Sequence, residues 1–380
     1  MEKNAISKLI KNTNHSLVLE LIRSEQPISR AAIAKRLGLS RSTVSSIVDD
    51  LLHKKIIIEL GLGSSTKEGG RRGIELGFNP KSAYGVGVDI GGTKVLIIIT
   101  DWDGEVVYKT KLKTSSNVDD LVSMIKESIR QSGVNEQLII AMGVGVPAIT
   151  NTRKGIVVDS PALGWQNLPL REAMQQHFSF PVFINNDVRC AALGEKWLGS
   201  GGQSRHMVFI AFGTGVGCAI VSNGELIEGH SYSAGEIGYL IDMLDVRNGQ
   251  ENSVGRFGTF ENRTSGTALS KHGFTGAELF RQYQHGNPQA VAVIDQFILD
   301  VSIAIANICS LLNPEKVVLG GGVSESMHQI LDKVTDNIKK FTPNHPKVEL
   351  ARLGTDAGGL GAIAYAFQKI QEANEKGDFE

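Results

Sequence analysis

The run GVDIGGTK (Gly87–Lys94) sets a carboxylate, two glycines, a hydroxyl and an amine within six residues. Asp89 closes an apolar stretch. Gly91 and Gly92 bare their backbone N–H groups, and Thr93 and Lys94 add a hydroxyl and a positive charge. Such a turn suits an anion, above all a phosphate. The GxxxxGK[ST] spacing is absent, so this is not a P-loop. A second run, VFIAFGTGVGCAIV (Val208–Val221), repeats the pattern with Gly213, Thr214, Gly215 and Gly217. A third, VVLGGGVS (Val317–Ser324), carries Gly320, Gly321 and Gly322, where a flat ring such as adenine can lie on bare backbone. One such turn alone is most often a hairpin. Three in this order, two beside threonine, point to a nucleotide.

Between the first and second runs lies FPVFINNDVRCAALGEKWLG (Phe180–Gly199). An apolar strand ends in Asn185, Asn186 and Asp187, and a helix begins. An aspartate at a strand end can take the proton from a hydroxyl attacking a phosphoryl group. Asp187 can equally be a helix N-cap, and the two roles are compatible.

The elements that must hold these residues alternate between strands and helices, which predicts an α/β body. Helices are expected at 118–132, 170–177, 191–198, 276–285, 290–312, 327–340 and 358–374, the last after the Gly-rich DAGGLG. Two strand–turn–strand loops about 120 residues apart imply two similar lobes across a cleft, about 83–190 and 191–380. The charged tail EANEKGDFE reads as disordered.

A different pattern occupies the first 78 residues. Leu17, Leu21 and Ile22 share one face of a helix over 14–23. Pro27 breaks it. Ser29 fits the N-cap of a short helix that Gly38 ends, and Ser40 caps the next. That next helix buries Val44, Ile47, Val48 and Leu51. It opens its other face with Arg41, Ser42, Thr43, Ser45 and Ser46. This is a helix-turn-helix with a recognition helix rich in hydrogen-bonding groups. Two strands joined by GLGSSTKEGGRRG follow, a wing whose Arg71 and Arg72 are placed for a minor groove. Ser29, Arg30, Ser40 and Lys67 complete the candidate DNA contacts. A protein-binding winged helix is the alternative. The charge argues against it: residues 1–78 carry 13 Lys/Arg and 8 Asp/Glu, a net of +5 in a chain of net −1. Residues 77–82 (GFNPKS) read as the linker to the body. One head reads one half-site, so a homodimer or higher homo-oligomer on double-stranded operator DNA is expected.

The bulk properties exclude several classes. Three cysteines (Cys190, Cys218, Cys309) lack metal-ligand spacing and suit a reduced, cytoplasmic protein. The N-terminus has no continuous apolar core, so no signal peptide is expected. No stretch is expected to approach the ~18 apolar residues that span a bilayer.

Taken together, these motifs resemble the ROK family (repressors, open reading frames and sugar kinases) across essentially the whole chain. GVDIGGTK and FGTGVG resemble its two phosphate motifs, INNDVRCAALGE its catalytic-aspartate stretch, SAGEIGY its E-x-G-H element and VLGGGVS its nucleotide-base motif. The resemblance implies an N-terminal winged helix-turn-helix and a two-lobed actin-like (ribonuclease H-like) body of the sugar-kinase type. It makes Asp89, Gly91, Gly92, Thr93, Lys94, Gly213, Thr214, Gly215, Gly320 and Gly321 candidate nucleotide contacts. It makes Asn186, Asp187, Glu236 and Glu261 candidate sugar contacts, with acceptors for vicinal hydroxyls.

The departures are informative. The family's zinc ligands are a histidine and three cysteines; the matching positions are Tyr239, Asn252, Val254 and Thr259, so no zinc is expected. Tyr239, Ala162 and Ala148 also alter the sugar site, and the aromatic ring of Tyr239 can stack on a sugar face. A larger or modified saccharide is therefore an open alternative to a monosaccharide. Headed members of this family are sugar-responsive repressors, and headless ones are mostly sugar kinases. The expected function is thus an operator-binding repressor of carbohydrate-utilisation genes released by a sugar. The alternatives are an ATP-dependent sugar kinase with Asp187 as base, and a regulator that binds ATP without chemistry. No cofactor is required under the first reading, and no membrane is involved.

Overall fold

The computed structural model describes residues 2–63, 73–253 and 256–376. The head opens with α1 (Glu2–Glu25), followed by α2 (Arg30–Leu37) and α3 (Arg41–His53). The caps fall where their chemistry predicts. The Ser29 side chain accepts from the N–H of Ala32, Gly38 closes α2 at φ +65°, and the Ser40 hydroxyl accepts from the N–H of Thr43. Val44, Ile47, Val48 and Leu51 of α3 are buried against Ile33, Ile57, Leu76 and Phe78. The face of α1 differs from the sequence expectation. Val18 and Ile22 point inward while Leu17 is exposed and Leu21 only half-buried. The helix also begins at Glu2, before Asn14.

The wing is a hairpin of Ile57–Leu62 and Ile74–Phe78, extended by the short strand Ile28–Ser29. The N–H of Gly63 donates to the carbonyl of Gly73 at its base. Lys67, Arg71 and Arg72 lie outside the described residues.

Residues 77–82 do more than link. Gly77 and Phe78 complete the wing strand, and Pro80–Ser82 forms a 3-10 turn. The turn between the second and third body strands then meets the head. Trp102 stands edge-on to Phe78 with ring centroids 5.5 Å apart, and its backbone N–H donates to the carbonyl of Pro80. Arg23 of α1 lies over both rings and pairs with Asp103.

In lobe one, Tyr84–Ile90, Lys94–Asp101 and Val106–Lys113 form an antiparallel meander. Ile139–Val146 and then Val182–Asn186 add parallel on the other side of Tyr84–Ile90. Lobe two repeats this order. Met207–Phe212, Val216–Ser222 and Glu225–Leu226 are antiparallel, and Lys316–Gly320 and Lys347–Leu350 add parallel to Met207–Phe212. Two sheets of one topology give the expected actin-like pair of lobes. α4 (Val118–Ser132) covers lobe one's sheet with Leu121, Val122, Ile125 and Ile129. α5 (Leu170–Gln175) ends before His177.

α6 (Asp187–Leu198) starts at the end of the last lobe-one strand, earlier than the expected Ala191. The predicted helix at 327–340 is a 3-10 segment, Ser324–Gln329, followed by a helix over Leu331–Phe341. The terminal helix, Ala357–Lys376, comes from the segment that chain order places in lobe two. It packs instead on lobe one's sheet and on α6. Its contacts run glycine to backbone. A Cβ at Gly87, Gly143 or Gly361 would meet the carbonyl of Gly359, Ala362 or Cys190. The helix Pro288–Leu312 is long and apolar enough to cross a membrane by length and composition, contrary to the sequence expectation. Its Ile294, Phe297, Val301 and Ile305 are buried in lobe two's core, as in a core helix.

Candidate functional site

Asp187 is the first residue of α6, and its neighbour takes the capping role. The Asn186 side-chain oxygen accepts from the N–H of Arg189, so Asn186 and not Asp187 is the N-cap. The Asn186 amide also donates to the carbonyl of Ala148 and to Asp187. Asp187 accepts a further bond from the N–H of Val188. Burial pushes the Asp187 carboxyl up, and these hydrogen bonds oppose it.

A cavity of about 420 Å³ opens beside it. Asp89, Asp187 and Gly321 line it, together with Gly322, Glu325, His328, Thr355 and Gly358. Asp89 is pushed up to about 7, chiefly by desolvation and next by Asp187, with Lys111 opposing. Two aspartates sharing one cavity near neutral pH hold less than two full charges between them. Glu325, His328 and Thr355 went unread in the sequence. The Gly-rich DAGGLG was noticed only as a helix start, although Gly358 lies directly against the Asp89 carboxylate.

The two threonine-bearing loops are tighter than their sequence suggests. The N–H of Gly91 donates to the carbonyl of Lys94, and that of Gly213 to Gly215. Both N–H groups are spent inside their hairpins instead of standing open to an anion, which corrects the expectation for Gly91. Gly92, Thr93 and Lys94 are exposed. Gly320 packs under the ring of Phe209, and Gly321 takes φ +82° against the backbone of Phe212. Among the described residues, neither loop nor any lysine or arginine lines the cavity. The acidic lining, with Lys111 acting on Asp89 from outside it, offers a triphosphate no direct cationic contact.

On the lobe-two side, Glu261 accepts from the N–H of Val216 at 2.8 Å and so sits on the second loop. Its carboxylate occupies the space a Cβ on Gly215 would need. The hydroxyl of Thr267 holds the carbonyl of Thr214. Glu236 is pushed up by desolvation, with Arg189 opposing and Glu261 and Asp187 adding to the rise. Glu236 therefore lies within range of the charges of both Asp187 and Glu261.

The positions matching the family's zinc ligands are joined by hydrogen bonds. The Asn252 amide donates to the carbonyl of Tyr239 and accepts from the N–H of Thr259. The Thr259 hydroxyl donates to the carbonyl of Leu240. Val254 lies outside the described residues. No group of three or more His, Cys, Asp or Glu among the described residues could hold a metal ion. The donor set does not fit zinc.

In the head, Arg41, Ser42 and Ser46 are exposed on α3, and Thr43 and Ser45 are half-buried. Ser40, Ser42 and Thr43 share hydroxyl contacts of 2.8 Å. Arg30 is engaged with protein: it holds Asp49 at 3.0 Å and Glu59 at 3.4 Å.

Residues 85–369 match the ROK family, and residues 11–58 match a winged helix-turn-helix DNA-binding family. The xylose repressor of Bacillus subtilis is 31% identical over 368 residues, covering 93% of this chain and 94% of that protein. A crystal structure of a ROK family transcriptional regulator, a homologue of the E. coli MLC protein, superposes with a TM-score of 0.80. It is 25% identical and covers 97% of this chain and 98% of its own. A ROK family glucokinase from Streptomyces griseus, solved with glucose and AMPPNP, gives a TM-score of 0.63 at 25% identity. It covers 75% of this chain and 100% of its own.

Proposed function

The chain belongs to the ROK family and carries a winged helix-turn-helix head, and from that premise we propose a sugar-released transcriptional repressor. The head binds a specific operator upstream of carbohydrate-utilisation genes. A saccharide bound between the lobes lowers that affinity. The kinship to xylose repressors makes D-xylose the first effector to try. Asn186, Asp187, Glu236 and Glu261 supply the hydroxyl acceptors, and Tyr239 at 39% exposure offers a ring at the rim. Arg41, Ser42, Thr43, Ser45 and Ser46 face the bases, and Lys67, Arg71 and Arg72 of the wing face the backbone or minor groove. Two heads on an inverted repeat call for a homodimer or larger assembly in the cytoplasm.

The observation that carries this reading is the contact between head and body. α6 begins at Asp187 in the cleft. Its far end, Trp197 and Leu198, packs on Gly104 in the turn that bears Trp102 and Asp103. That turn is lodged in the head against Phe78 and Arg23. A shift of α6 on closure of the cleft thus reaches the head through packed side chains. A coupling of about 1–3 kcal/mol changes operator occupancy about 5- to 150-fold.

The kinase reading is weaker, because the cavity beside Asp187 is acidic and two loop N–H groups are already engaged. The test is a titration of operator DNA from upstream of the chain's own gene, at fixed salt, with D-xylose, D-glucose and xylobiose. Release by one sugar supports the repressor. Absence of specific binding with and without sugar overturns it. Phosphorylation of a sugar by wild type, lost in D187N, would establish the kinase in its place.

A further inference from the structure

Arg189 is the third residue of α6 and only 3% exposed. Its Nη2 donates to three carbonyl oxygens of one loop: Glu228 at 3.2 Å, Tyr232 at 2.9 Å and Ala234 at 3.2 Å. Its Nη1 is buried and has no hydrogen-bond partner among the described residues. A guanidinium is costly to bury and is not placed against neutral carbonyls without a return. The loop it gathers runs directly into Glu236.

Within that loop the N–H of Ala234 donates to the carbonyl of Glu228 and the Ser233 hydroxyl to that of Ser231. Gly229, Tyr232 and Gly235 all take positive φ, at +76°, +61° and +96°. Glycine adopts such φ freely, but Tyr232 holds it only because its surroundings over-determine it. Gly235 is pressed on the carbonyl of Cys218, where no Cβ fits. At the other end, the Thr152 hydroxyl of lobe one donates to Glu228 at 2.7 Å. Arg189 and Thr152 thus tie a lobe-two loop to α6 and to lobe one.

We propose that Arg189 is the positioning residue of the saccharide cleft, which holds the 228–234 loop so that Glu236 stands opposite Asp187 and Glu261. The inference rests on the saccharide reading above. Arg189 does two things at once. It sets the backbone that delivers Glu236, and its charge offsets part of the cost of burying that carboxylate. Arg189 opposes the rise in the Glu236 pKa that burial, Glu261 and Asp187 cause. Removing the guanidinium therefore makes Glu236 protonate at a higher pH and weakens it as an acceptor.

The test uses the full chain on operator DNA, with D-xylose, D-glucose and xylobiose titrated at pH 6, 7 and 8. Wild type, R189M and R189K are compared, each normalised to its own sugar-free operator affinity. R189M should raise the half-effective sugar concentration at least tenfold. Its response should also fall away on acidification at a higher pH than in wild type. R189K, which keeps the charge without the fork, should restore the pH profile but only part of the sensitivity. Should R189M fail to fold, R189K decides alone: wild-type sensitivity in R189K overturns the proposal. Equal sensitivity and an equal pH profile in R189M overturn it too, while leaving the saccharide reading intact. A wild type that binds operator and answers to no sugar overturns both.

Discussion

The guanidinium of Arg23 lies 2.8 Å from the carboxylate of Asp103, eighty residues away, and joins the first helix of the head to a turn of lobe one. Trp102 stands beside this pair, against Phe78 and under Arg23. The ion pair is largely solvated and contributes at most about 1 kcal/mol. The aromatic contact is the stronger link. W102A should keep operator binding but lose at least half of the coupling free energy between sugar and DNA, whereas D103N should change it little. Operator affinities with and without D-xylose or the active sugar of the panel measure both. Full coupling in W102A would remove this contact from the signal path.

Two arginines near the recognition helix should behave differently. Arg41 is exposed at the start of α3, and Arg30 is held by Asp49 and Glu59. R41A should weaken operator binding and lower the slope of log affinity against log salt by about one, because a cation set into the groove displaces a counterion. R30A should leave that slope unchanged and reduce the stability of the head by about 1 kcal/mol. Salt titrations of both variants separate the roles, and an equal fall in slope for R30A would place it on the DNA.

Asp89 gives the fold a pH dependence. Its pKa is raised from near 3.8 to about 7, so its folded form prefers the proton. Stability from this group is complete below about 3.8 and is lost as pH rises to about 7. A shift of this size corresponds to roughly 4 kcal/mol at most. D89N should therefore be more stable than wild type at pH 8 and nearly equal to it at pH 4. Chemical denaturation at the two pH values measures this. A constant difference across them would show that the Asp89 carboxyl is not perturbed.

Asn252 joins Tyr239 to Thr259 by two bonds, where the family's metal would otherwise join them. N252A should cost about 1–3 kcal/mol by leaving the Thr259 N–H without its acceptor. A chelator should leave the Tm of wild type unchanged. A Tm that falls with EDTA and returns with zinc would contradict both expectations.

Much of the head was legible because its signals are local. Ser29 and Ser40 cap, Gly38 turns, and Val44, Ile47, Val48 and Leu51 repeat at helical spacing, so each could be read within a few residues. The duplicated lobes were legible for a similar reason, since each glycine loop sits between two apolar strands. What failed was the use of single groups. The N–H groups of Gly91 and Gly213 and the capping of α6 by Asn186 depend on which partner stands within 3 Å. Spacing along a chain does not record that.

The sequence by itself determined the winged head, the two α/β lobes and the family, because periodicity, caps and glycine turns act over short stretches of chain. The tertiary structure alone decided where those parts meet. It laid the terminal helix on lobe one through Gly87, Gly143 and Gly361, where only missing Cβ atoms allow backbones to touch. It set Trp102 into the head and folded the 228–234 loop around Arg189. These contacts join residues tens to hundreds of positions apart. Their choice follows from steric fit and from satisfying buried donors and charges, and neither is expressed in any local pattern.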